Sequence, residues 1–228
     1  MKLEKFFEKI RQQNRKNLTE QESRFILSSY GIKIVKGEVA TSLEQAKEIA
    51  KRIGYPVAIK IVSKDIIHKT DVGGVSLNIK SPEELSFEYS KMMQNIKQKL
   101  PSISIEGVFV QQMITDGHEL ILGAKKDQVF GPVIMLGFGG IYVEALDDIS
   151  FRIAPVSKKD VIEMINETKI GKIIRGFRGK AANINALIKA TMNLSKLVVE
   201  NPQILEIDIN PLMLGNDAIA LDARIMIE

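Results

Sequence analysis

Two hydrophobic periodicities alternate along the chain, one of helical spacing and one of strand spacing. Leu3, Phe6, Phe7 and Ile10 share one helical face, ahead of a polar break at Arg15, Lys16 and Asn17. Thr19 with Glu22 makes a capping box for a second helix, which Gly31 closes. A strand is expected around Ile32 to Val35. Thr41 with Glu44 reads as another capping box, opening a helix with the face Leu43, Ala46, Ala50 and Ile53 that Gly54 and Pro56 stop. Strands follow at Val57 to Val62 and Val75 to Ile79. Ser81, Pro82 and Glu84 then supply an N-cap, a proline at the first helical position and an acid at the third, and Pro101 ends that helix.

The second half predicts strands near Ile105 to Met113, Glu119 to Lys125, Pro132 to Leu136 and Phe151 to Ala154. Helices are expected near Lys158 to Glu167 and Ile184 to Glu200. The closing stretch, Leu205 to Arg224, reads as a β-hairpin. Period two places Glu206, Asp208 and Asn210 on one face and Leu205, Ile207 and Ile209 on the other. Pro211 ends the first strand, Gly215-Asn216-Asp217 turns the chain, and Ala218 to Met226 returns with Asp222 inside it. Helices interleaved with strands that mostly read as antiparallel give an α+β fold, with a lobe boundary near Ile103 to Ile114.

Composition narrows the function classes. With 228 residues, 45% of them hydrophobic, the chain can bury a core of one large or two small domains. The 32 basic and 28 acidic residues are interspersed and aromatics are only 6%, unlike the basic stripe of a nucleic-acid binder. There is no cysteine, which excludes disulfides and thiolate chemistry, and two histidines argue against a histidine metal cluster. No apolar run reaches membrane-spanning length and no secretion signal opens the chain, so a cytoplasmic protein without membrane or nucleic-acid partners is expected.

Four features can carry chemistry, each with a plain structural alternative. The oxygens of Asp208, Asn210 and Asp222 suit Mg²⁺, which takes one or two carboxylates and completes its shell with phosphate and water. Solvated acids on an edge hairpin are the alternative. Lys60 interrupts an apolar strand and needs an anion if buried, or else snorkels from an edge strand. Gly73-Gly74, between two strands, lets the backbone approach a phosphate, or simply makes a tight turn, and Gly137-Phe138-Gly139-Gly140 has the same two readings. Neither is a P-loop, since no Gly-Lys-Ser/Thr follows. His68 can attack phosphorus through a neutral imidazole, or be an ordinary loop residue.

In order along the chain, YGIKIVKGEVATSLEQAKEIAKRIGYPVAIKI, IIHKTDVGGVSLNI, FGPVIMLGFGGIYVEAL, LEIDINPL and ALDAR resemble the β subunits of ADP-forming acetyl-CoA synthetases, ATP-grasp proteins related to succinyl-CoA synthetase. The resemblance covers nearly the whole chain. It implies an ATP-grasp fold, two α+β lobes with the nucleotide between them: residues 1–18 an N-terminal helix, 19–110 the first lobe, 111–228 the second. It also implies ATP/ADP and Mg²⁺ as cofactors. Lys60 corresponds to the phosphate-binding lysine and Gly73 and Gly74 to the glycine loop. Gln111, Gln112, Met113 and Ile114 correspond to the segment that holds adenine, and Glu119 to the ribose-binding acid. Asn210 and Asp222 match the metal pair, and Asp208 a supporting acid. His68 matches a histidine that relays the phosphoryl group. The implied partner is an α subunit carrying the CoA site and the main phosphohistidine, in an α2β2 assembly. Two departures stand out: Gln111-Gln112 replaces the Glu-Lys of many ATP-grasp hinges, and Lys180 to Asn183 replaces a Pro and Asp after Gly179. A self-sufficient carboxylate ligase and a non-catalytic nucleotide-sensing module are the competing readings.

Overall fold

The structure is a computed structural model that describes residues 3–63, 66, 69–139, 148–177 and 179–228. The chain forms two compact units: Val35–Thr115, and a second built from Met1–Ile34 together with Asp116–Glu228. Residues 19–34 therefore belong with the C-terminal half, rather than with the first lobe as the sequence suggests.

In the unit Val35–Thr115, four strands lie in the order β2-β5-β3-β4: β2 (Gly37–Ala40), β3 (Val57–Val62), β4 (Val75–Ile79) and β5 (Gly107–Gln112). The sequence reading missed β2, which is short and contains a glycine and a glutamate. Helices α3 (Leu43–Ile53) and α4 (Pro82–Lys99) cover one face. Val57, Ile59, Ile61, Val108 and Val110 point into the core with Ala46, Ile49, Ala50, Leu85, Met92 and Ile96. Both helix starts follow from side-chain caps, though that of α3 differs by one residue from expectation. Ser42 Oγ accepts from the Gln45 N–H, while Thr41 bonds the Gln45 side chain. Ser81 caps α4 as expected.

The other unit carries the strand order β1-β10-β9-β6-β7-β8, with β11 also on β9. These are β1 (Lys33–Ile34), β6 (His118–Asp127), β7 (Gly131–Phe138), β8 (Ile149–Ile153), β9 (Ile204–Leu214), β10 (Ala218–Ala220) and β11 (Arg224–Ile227). Leu120, Leu122, Ala124, Ile134, Leu136, Ile207 and Ile209 form its core face. They pack with buried residues of α1 (Leu3–Gln12), α2 (Glu20–Ser29), α5 (Lys158–Glu167), α6 (Ile170–Ile174) and α7 (Ile184–Glu200). β1 pairs with β10 in parallel, and the Leu18 N–H donates to Ile225 O at 3.0 Å. These backbone bonds, which no local pattern encodes, carry the N-terminal helices onto the C-terminal sheet.

At the start of α2, Thr19 and Glu22 satisfy each other's N–H groups reciprocally. Burial pushes the Glu22 carboxyl up, but the Arg15 guanidinium, 2.7 Å away, and the Thr19 N–H hold it below its usual value on balance. A lowered folded-state value gives stability above the unfolded value and loses it as pH falls through the folded one. The excess stability of wild type over Glu22→Gln, measured by urea unfolding, should therefore be present at neutral pH and shrink below about pH 4.5. In the other unit, a Cβ added at Gly37 would lie 2.5 Å from Phe109 Cζ and 2.9 Å from Gln111 Cβ. Gly37→Ala should cost about 1–3 kcal/mol in a urea titration, and adding Phe109→Leu should recover part of it.

Candidate functional site

β9 departs from a regular strand near Leu205, where its register with β11 shifts, and again in its middle. Its core-facing residues run Ile207, Ile209, then Leu212 and Leu214, so the alternation skips at Asn210-Pro211. Neighbouring β6 keeps its period: Leu122 faces Ile209 and Leu120 faces Leu212, with a bulge between. Contrary to expectation, Pro211 does not end the strand. It occupies the bulge, where a missing ladder donor is tolerated.

On the other side of β9, the returning chain is interrupted at the same level. β10 pairs Ala220 with Leu212, and β11 pairs Arg224 with Asp208. Counting inward from either pair sets Asp222 opposite Asn210. The Leu221 N–H donates to Pro211 O at 3.0 Å and closes the gap. Asp222 is therefore not inside a regular strand, as the sequence suggested, but in a break that mirrors the bulge. Its Oδ1 accepts from the Ala223 N–H at 2.9 Å.

Asp208 lies on the face of the sheet opposite that core, two residues before Asn210. Burial raises its carboxyl pKa; Arg224 opposes the shift, whereas Glu206 and Asp222 add to it. Its Oδ1 is buried and has no hydrogen-bond partner among the described residues. Such an atom is costly to leave uncompensated. Among the described residues no group of three or more His, Cys, Asp or Glu side chains is placed to hold a metal unaided. Two carboxylates and an amide with an orphaned acceptor nonetheless fit a hard divalent ion that completes its shell with phosphate and water. Glu119, exposed, sits on the same face, opposite Met213 in the ladder, and its carbonyl accepts from the Gly139 N–H at 2.9 Å.

In the unit Val35–Thr115, Lys60 is 7% exposed and stands in β3, an interior strand flanked by β5 and β4. An edge-strand lysine reaching water is thereby excluded. Lys60 pairs across the ladders with Phe109 and Val75, on the face away from α3 and α4. Gln111, 3% exposed, is two residues along β5 from Phe109, and its Oε1 is buried with no hydrogen-bond partner among the described residues. The Gln112 N–H donates to Lys36 O and the Met113 N–H to Pro56 O, so Ile114 stands just past the last ladder bonds.

The Gly73-Gly74 loop is more self-contained than its composition suggests. The Gly74 N–H donates to Lys69 O at 2.7 Å and the Gly73 N–H to Thr70 O at 3.0 Å, so both amides are engaged within the loop. Glycine is required for two separate reasons. Gly73 has φ +75°, and a Cβ at Gly74 would meet Ile61 Cγ2 at 2.5 Å. His68 and Arg178 lie outside the described residues, as does Gly140.

A family model described as an ATP-grasp domain matches residues 9–227. The chain belongs to the ATP-grasp family. It is 44% identical over 228 residues to the acetate–CoA ligase (ADP-forming) I subunit beta of Pyrococcus furiosus, covering 99% of this chain and 98% of that one. Acetate–CoA ligase (ADP-forming) I of Archaeoglobus fulgidus is 45% identical over 82% of the chain, which spans only 27% of that longer protein. Among solved structures, acetyl-coenzyme A synthetase 1 of Ca. Korarchaeum cryptofilum, in complex with coenzyme A and Ca-AMPCP, superimposes with a TM-score of 0.93 at 39% identity, covering 98% of this chain and 99% of that one. Another structure of that protein holds Mg-AMPPCP, with a phosphohistidine segment pointing towards the nucleotide-binding site.

The sequence marks Asp208 as an acid supporting the metal pair; the structure adds that burial raises its carboxyl pKa and leaves one oxygen without a hydrogen-bond partner among the described residues. Its flanking isoleucines were the available signal. Asp208→Asn should raise the metal-free protein's unfolding free energy by about 1 kcal/mol in urea titrations at neutral pH, because a partly buried carboxylate that Arg224 only partly offsets is removed.

Proposed function

We propose that this chain is the nucleotide-binding subunit of an ADP-forming acyl-CoA synthetase, making ATP by phosphoryl transfer from phosphohistidine to ADP. The observation that carries the reading is the end-to-end match to a separate β subunit in one organism, while the same region is 27% of a longer ligase in another. A partner α subunit would supply the CoA site and the main phosphohistidine, in an α2β2 assembly. The overall reaction is acyl-CoA + ADP + phosphate to carboxylate + CoA + ATP, and it is reversible.

Lys60, buried on an interior strand, has the charge and placement to take up a phosphate and to draw off negative charge as the P–N bond of phosphohistidine breaks and the ADP oxygen bonds to phosphorus. Gln111, Gln112, Met113 and Ile114 hold adenine, and Glu119 the ribose. Gly73 and Gly74 shape the loop under the phosphates, although their own amides are engaged elsewhere. Asn210 and Asp222 hold Mg²⁺, with Asp208 beside them. When bound, such an ion would shield phosphate charge. His68 receives the phosphoryl group and passes it on.

The test mixes the chain with a candidate α subunit, acetyl-CoA, ADP and phosphate, and follows ATP. ATP should form only in the mixture. His68→Ala should abolish turnover while leaving ADP affinity within about twofold, and Lys60→Met should lower ADP affinity or turnover about a hundredfold or more. Substrate-dependent ATP chemistry by the chain alone would instead make it a self-sufficient carboxylate ligase. Nucleotide binding without phosphotransfer after addition of an α subunit competent with another β chain would make it a sensing module.

A further inference from the structure

The sheet face opposite the core carries more than the acids of the candidate metal site. The ladder registers set Asp208 of β9 beside Gly123 of β6, Gly123 beside Met135 of β7, and Met135 beside Phe151 of β8. Directly paired residues share a face. Ser150 and Arg152, the β8 partners of the core residues Leu136 and Ile134, both bond Glu167 of α5, so Phe151 and Ile153 turn the other way. A Cβ at Gly123 would stand 3.0 Å from Met135 Cε, so the methionine side chain lies over the glycine, towards Asp208. The row thus runs without a polar side chain from Asp208 to β8, the last strand of the sheet, roughly 14 Å away across three interstrand spacings. Val133 and Ile153 pair beside it on the same face.

Phe151 and Ile153 are 55% and 53% exposed, whereas the other exposed large apolar side chains of this unit stand on helices or in turns. Apolar surface of this kind on an outer strand marks an interaction site. Its continuity with Asp208 says what covers it. In the function proposed above, the phosphoryl group arrives on a histidine of a partner subunit. It can be handed on only when reacting atoms stand about 3–3.5 Å apart, so the segment bearing it has to be laid against the surface around the candidate metal ligands. We propose that Met135, Phe151 and Ile153, with Val133, form the landing surface for the partner α subunit's phosphohistidine segment, which lies across the sheet from β8 towards Asp208. The proposal rests on that function. Such a surface is used at one stage only: charging the histidine with phosphate does not need it, and discharge to ADP does.

The test uses the complex of this chain with its α subunit. Charged with acetyl-CoA and labelled phosphate in the absence of ADP, wild type and the double variant Phe151→Ser, Ile153→Ser should take up equal label. On addition of ADP, the double variant should release label as ATP about tenfold more slowly or worse, with ADP affinity within about twofold of wild type and Phe151→Leu within about threefold. Phe151→p-benzoylphenylalanine, irradiated in the complex, should cross-link to the peptide that holds the phosphohistidine of the α subunit. Thermal unfolding checks that each variant is folded; if the double variant is not, Phe151→Ser alone carries the test with the same expected loss. Unchanged discharge in a folded variant overturns the proposal. So does loss of co-elution with the α subunit, which would make this a permanent subunit contact. Cross-links to a second copy of this chain, or to its own residues around His68, name another occupant and overturn it too. A wild-type mixture that yields no ATP overturns the underlying function, and the landing surface with it.

Discussion

One matched irregularity governs the C-terminal sheet. β9 bulges at Asn210-Pro211, the returning chain breaks at Leu221-Asp222, and a single backbone bond from Leu221 to Pro211 ties the two together. Without the bulge, strict alternation would carry Leu212 and Leu214 out of the core that Ile207 and Ile209 enter. With it, two oxygen-bearing side chains are set opposite each other while the hydrophobic face stays continuous on either side. The core and the candidate site are thus built from the same few residues, and neither can be altered independently.

Both sheets share one economy of design. In each, helices cover one face and the chemistry-bearing side chains lie on the other: Lys60 and Gln111 in one unit, Asp208 and Glu119 in the other. Polar atoms on those faces are buried without full compensation. Asp208 Oδ1 and Gln111 Oε1 have no hydrogen-bond partner among the described residues. Such atoms destabilise the domain by itself and favour a ligand that satisfies them.

Much of this was legible in the sequence where local physics decides. Caps at Thr19 and Ser81, glycines 31 and 54 closing helices, and the apolar run of β3 all stand where their residue chemistry requires. Motif order identified the family because the spacing of several rare combinations is hard to reach by chance. What was not legible is long-range. The pairing of β1 with β10 and the membership of residues 19–34 depend on segments almost two hundred residues apart. Pro211 was misread because a proline ends a regular strand but is accommodated in a bulge. The Gly73-Gly74 amides were misjudged because composition reports a glycine's freedom but not which carbonyl its N–H has found.

The pairing of residues 16–18 with residues 225–227 has a consequence for biosynthesis. Leu18 bonds to Ile225, and the Ile227 N–H returns to Lys16 O, so α1 and α2 find these backbone partners only after the whole intervening stretch of chain has been made. The intervening unit has every strand of its sheet in hand once Gln112 has been made. Synthesis therefore delivers one unit ready to fold while α1 and α2 wait, their apolar faces uncovered, for more than a hundred further residues. Disrupting residues 225–227 would therefore undo the pairing of residues 16–18 as well.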